Sequence, residues 1–135
     1  MTRPASDLDG FRLWPGLLDR AAQERLRDAV FARLKAGPLY IPRMPKSGVP
    51  MRVRMTNFGA LGWVTDKEQG YRYQAMHPDT GKPWPDIPEE ILALWEKLSG
   101  YAAAPEACLV NLYEGDARMG LHVDSDEDAW DAPVL

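Results

Sequence analysis

Leu18, Ala22, Leu26, Val30 and Leu34 recur every four residues, and Leu17, Ala21 and Ala29 widen the same stripe. That spacing predicts an amphipathic helix over residues 16–35, ended by Gly37-Pro38, whose apolar face lies on a sheet. Pro42, Pro45, Gly48 and Pro50 make 39–50 an irregular basic loop. Arg52 to Phe58 has strand character, broken by Gly59 and Gly62 just before Trp63. Turn formers dominate from Tyr71 to Pro88. A second helix is expected over 88–99, where Pro88 suits a first turn and Glu89 and Glu90 suit its positive end. Ile91, Leu94, Trp95 and Leu98 supply its stripe, and Gly100 its stop.

The period then changes from about four to two. Cys108, Val110 and Leu112 alternate with Leu109, Asn111 and Tyr113, the pattern of a strand. Glu114-Gly115-Asp116 is a turn, and Met119 to Val123 is expected to return as the partner strand of a hairpin. The order is helix, irregular β region, helix, hairpin. It describes a single α+β domain, mainly β, over residues 1–135.

Composition adds mostly exclusions. A hydrophobic share of 45% and a charged share of 27% are those of an ordinary soluble protein. No apolar run is long enough to span a bilayer, so no membrane partner is expected. The single cysteine, Cys108, precludes an internal disulfide, and a reducing, cytoplasmic address follows. Charge is unevenly spread: residues 1–54 hold 11 Lys/Arg against 5 Asp/Glu, and residues 55–135 hold 5 against 15. A basic first part suits a phosphate backbone and an acidic remainder suits a cation, although Arg20, Arg25, Arg27, Arg33 and Lys35 are equally the wet face of a helix.

The most chemical group is His122-Val123-Asp124. Residues two apart in a strand share a face, so an imidazole and a carboxylate project together. They are two of the three ligands of a 2-His-1-carboxylate iron site, although the tripeptide is common by chance and also reads as a solvated strand end. A calcium loop is the rival, since Asp124, Asp126 and Asp128 have the spacing of its first ligands. It fails where Gly is replaced by Ala129 and the final Glu by Leu135. Asn111 and Tyr113 also share a strand face. The hairpin would bring them beside His122 and Asp124, where an amide and a phenol suit a small dicarboxylate; a polar face turned to water is the equal alternative.

The segments 107–113 (ACLVNLY) and 121–127 (LHVDSDE) resemble the strand-turn-strand of the AlkB family of iron(II)- and 2-oxoglutarate-dependent dioxygenases, with its N-x-Y and H-x-D-x-D-E motifs. The segments 55–63 (MTNFGALGW) and 81–85 (GKPWP) resemble the same family in the same order. Several motifs in one order are far more specific than any one of them.

This resemblance implies an incomplete double-stranded β-helix, or jelly-roll, starting at 107–135. N-terminal helices and a nucleotide-recognition region over 39–87 would precede it. It implies oxidative dealkylation of alkylated bases in single- or double-stranded DNA, or in RNA, by an enzyme that is monomeric when complete. Iron(II) would be the metal, with 2-oxoglutarate and O2 as cosubstrates. His122 and Asp124 would ligate iron, and Asn111 and Tyr113 would hydrogen-bond 2-oxoglutarate. Trp63 would stack on the damaged base opposite His122, while Met55 lines the pocket. Asp126 would meet the base's exocyclic amine and Tyr71 a phosphate.

The family's second iron-binding histidine and its 2-oxoglutarate arginines lie beyond the H-x-D motif, past Leu135. His77, in a turn rich in Pro and Gly, reads as a surface residue rather than a substitute ligand. The 135 residues alone are therefore expected to be inactive. A noncatalytic nucleic-acid-binding module is the reading from another class, and a gene ending at Leu135 would favour it.

Overall fold

The computed structural model describes residues 3–124 and 127–135. The chain opens on a hairpin that the hydrophobic pattern does not announce, β1 (Ser6–Leu8) against β2 (Phe11–Leu13). Asp9 and Gly10 turn it with φ of 49° and 87°, the positive values a two-residue hairpin turn needs.

Helix α1 runs Arg20–Arg33, inside the expected 16–35. Its start is fixed by Asp19, whose carboxylate accepts from the Ala22 amide at 2.8 Å. Its apolar edge does not seat tightly on a sheet, and no α1 residue is fully buried. Leu26, Val30 and Leu34 instead face Val110 and Leu112 across a groove of about 330 Å³.

Strand β3 (Arg54–Gly59) is followed by the short β4 (Gly62–Val64), paired antiparallel with β5 (Arg72–Gln74). β5 falls inside the stretch read as turns only. The 39–50 loop is irregular as expected, but Tyr40 bridges Met55 and is buried. Helix α2 (Glu89–Leu98) begins after Pro88, close to the expected bounds.

The last strand, β6 (Ala107–Leu112), forms where the period-two pattern places it, but with a different partner. It pairs antiparallel with β3, Met55 opposite Asn111 and Phe58 opposite Cys108. The chain turns at Glu114-Gly115-Asp116 as expected, with the Ala117 amide donating to the Glu114 carbonyl at 3.1 Å. It does not return as a strand: among the described residues, nothing after Leu112 is in a sheet. Leu121 and Val123 are accordingly left 106% and 88% exposed.

Three two-stranded sheets result, β1-β2, β3-β6 and β4-β5, and no closed jelly-roll is formed among the described residues. Tyr40, Met55, Val64 and Trp84 form the core, with Trp63 packed half-buried against it. Gly62 is required there, because a Cβ at that position would collide with the Trp84 indole.

Candidate active site

The aromatic expected to meet a base, Trp63, sits at the centre of β4, and its main chain is held by a residue that sequence reasoning passed over. Asn57, wholly buried in β3, accepts from the Trp63 amide through Oδ1 at 3.0 Å. Its Nδ2 donates to the Trp63 carbonyl at 3.0 Å and to the Tyr40 hydroxyl at 3.1 Å. The Tyr40 hydroxyl in turn donates to the same carbonyl at 2.9 Å. A buried amide must be satisfied, and here satisfying it holds the backbone of one β4 residue through both its N–H and its C=O. Burial pushes the Tyr40 phenol well above its ordinary value, which keeps it neutral and donating.

Tyr71 stacks on the Trp63 indole, with ring centroids 5.5 Å apart and planes 25° from parallel. Met55 is buried beside this group. Because directly paired residues share a sheet face, the β3–β6 register sets Met55 and Asn111 side by side. Tyr113 follows just past the end of β6. Both Asn111 and Tyr113 are exposed.

His122 and Asp124 do come together, though not as members of a strand. His122 Nε2 lies 3.2 Å from Asp124 Oδ1 in an extended, exposed segment. Its Nδ1 lies 2.8 Å from the Gly120 carbonyl, which can only accept, so Nδ1 carries the proton there. In the neutral ring that leaves Nε2, beside the carboxylate, as the nitrogen that keeps its lone pair. The Gly120 carbonyl raises the imidazole above its ordinary value, and the nearby Asp124 carboxylate adds to the effect. One imidazole nitrogen and one carboxylate oxygen this close suit iron(II), but the set is incomplete: no cluster of three such donors exists among the described residues. The expected hairpin does not bring Asn111 and Tyr113 to His122 and Asp124, since the returning strand is not formed. Asp126 lies outside the described residues.

His77 is a correction. It is not on the surface but buried, its ring against those of Tyr40 and Trp84 at 5.2 and 5.1 Å. Its Nε2 donates to the Pro38 carbonyl at 2.7 Å, and its Nδ1 accepts from the amides of Asp79 and Thr80. Both ring nitrogens are thereby occupied by backbone, which makes His77 a packing residue and no substitute ligand. A second polar tie went unread as well: the Tyr73 hydroxyl donates to Glu127 Oε1 at 2.6 Å.

Residues 10–135 match the model of the 2OG-Fe(II) oxygenase superfamily. An alpha-ketoglutarate-dependent dioxygenase AlkB homolog of Caulobacter vibrioides is 47% identical over all 135 residues. This chain belongs to the AlkB family. The AlkB dioxygenase of Salmonella typhimurium is 39% identical over 120 residues, 86% of this chain and 54% of that protein. The AlkB of Escherichia coli is 41% identical over 92 residues, 65% of this chain and 42% of that one. The chain spans 60% of the length of its Caulobacter relative. No helix among the described residues is long and apolar enough to cross a membrane.

Proposed function

We propose that the full-length protein is an iron(II)- and 2-oxoglutarate-dependent dioxygenase that dealkylates bases in DNA or RNA, as a cytoplasmic, monomeric repair enzyme. The observation that carries this reading is the pairing of His122 Nε2 with Asp124 Oδ1 at 3.2 Å in a chain of the AlkB family. Iron and 2-oxoglutarate, when bound, supply the oxidation of an alkyl carbon by O2, with succinate and carbon dioxide as coproducts. A hydroxylated alkyl carbon on a base nitrogen is a hemiaminal, which falls apart to the plain base and formaldehyde.

The chain's own residues do the positioning. His122 and Asp124 hold the metal, and Asn111 and Tyr113 donate hydrogen bonds to the cosubstrate. Trp63, with Tyr71 stacked on its indole, is the ring that would meet a flipped base, and Met55 would supply the apolar wall beside it. The Tyr71 hydroxyl stays at the rim, where a phosphate passes, and Asp126 meets the exocyclic amine. β6 would begin the jelly-roll, and its pairing with β3 joins that start to the recognition region.

The test is formaldehyde release from an oligonucleotide carrying 1-methyladenine, with iron(II), 2-oxoglutarate and ascorbate supplied. The full-length protein should release formaldehyde in step with succinate, and a chelator or His122→Ala should abolish it. The 135 residues alone, with two donors of three, should release none. Release that survives His122→Ala would sink the assignment of the iron site.

A further inference from the structure

Tyr73 stands directly opposite Trp63 in the β4–β5 ladder. Its hydroxyl donates to Glu127 Oε1 at 2.6 Å across 54 residues of sequence, in a partly buried setting. Glu127 is three residues past Asp124. The strand residue facing the base-stacking aromatic therefore grips the segment that carries both candidate iron ligands. That segment has no strand partner of its own among the described residues, and Leu121, His122, Val123 and Asp124 are all exposed. A phenol bonded to a carboxylate at this distance is a charge-assisted contact, stronger than a neutral one.

We propose that Tyr73 is a positioning residue that couples the recognition hairpin to the metal-binding segment through its hydroxyl bond to Glu127. The inference rests on the proposed function. Holding the segment in place has an entropic cost that either a bound metal or a bound base must meet. With the two halves tied, whichever ligand arrives first meets that cost for both, and each tightens the other by the same factor. Without the tie, metal and base bind independently.

The experiment uses the full-length protein, Mn(II) as a redox-inert probe, and a fluorescent oligodeoxynucleotide carrying 1-methyladenine. Oligonucleotide affinity is read by anisotropy with and without saturating Mn(II). In the unmodified protein Mn(II) should tighten binding about fivefold or more, the low end of ordinary site-to-site coupling. In Tyr73→Phe, which loses one oxygen and keeps the ring, the ratio should fall to about one. Glu127→Ala removes the other partner from the segment and leaves the hairpin untouched, so it must give the same loss, and it decides the matter if the Phe variant melts early. The double variant should be no worse than either single one. A ratio that persists in a well-folded Tyr73→Phe protein, or that is one from the start, overturns the coupling and leaves the enzyme reading intact. If the unmodified protein does not prefer the methylated strand over its plain counterpart, the functional reading falls, and this inference with it.

Discussion

Asn57 and His122 are both polar, both central to the site, and held in opposite ways. Asn57 has no exposed surface, and its amide makes three hydrogen bonds, to the N–H and C=O of Trp63 and to the Tyr40 phenol. His122 is about half exposed, one ring nitrogen bonded to a carbonyl two residues back and the other 3.2 Å from a carboxylate two residues on. The first arrangement is long-range and dry, so removing any member strands a buried group. The second is local and wet, so water replaces a lost partner at little cost. The half that would receive a base is thus built into the core, and the half that would receive a metal hangs from it.

The largest contrast should appear on truncating one apolar side chain from each half. Trp84→Ala empties the core beneath Trp63 and should cost about 3–5 kcal/mol in denaturant titration. Leu121→Ala, from the ligand segment, should stay within about 0.5 kcal/mol. Equal costs would erase the distinction.

Next in size is Asn57→Ala. Leaving the Trp63 amide and carbonyl and the Tyr40 hydroxyl short of a partner should cost about 1–3 kcal/mol. In the full-length protein it should also weaken binding of a methylated oligonucleotide, because the peptide carrying the stacking ring loses its support. Unchanged binding would mean that Trp63 is held by packing alone.

The sequence announced some of this and hid the rest for identifiable reasons. α1, α2 and β6 came from local periodicity, and local periodicity is a strong signal. The partner of β6 was not legible, because β3 lies some 50 residues upstream while a turn beside β6 suggested a nearer one. His77 was misread from its company of Pro and Gly. Nothing in composition shows that backbone amides and a carbonyl will occupy both ring nitrogens. Asn57 left a usable clue, an amide set between Met55 and Phe58 in a strand segment, since a buried amide there must have partners. Of the candidate residues, the register of β3 on β6 sets Met55 beside Asn111, and Trp63 lies against the same core. His122 and Asp124 meet by a route other than the expected strand.

A smaller effect separates the halves by pH. Tyr40 in the core is raised above its ordinary value of 10.0 by burial. Below that pH the phenol is neutral in both folded and unfolded chains, and its contribution is intact. As pH rises beyond it, only the unfolded chain ionises readily, so stability falls. Tyr40→Phe should cost about 1 kcal/mol at neutral pH and flatten the alkaline loss. Smaller still is Asp66, held below its ordinary value by the Arg72 guanidinium at 2.8 Å near the β4–β5 hairpin. Its contribution is present above the usual Asp range and lost as pH falls below it. Asp66→Asn should cost at most about 1 kcal/mol and remove that acid-side loss.

Amide hydrogen exchange on the metal-free chain compares the two halves in one experiment. The Trp63 amide, bonded to a buried side chain rather than to a ladder, should exchange only on near-global unfolding. The amides of Leu121, His122, Val123 and Asp124 should exchange close to the rate of an unstructured peptide. If Trp63 exchanges as fast as they do, or they are protected as well as Trp63, the recognition half is not the preformed one and the account is wrong.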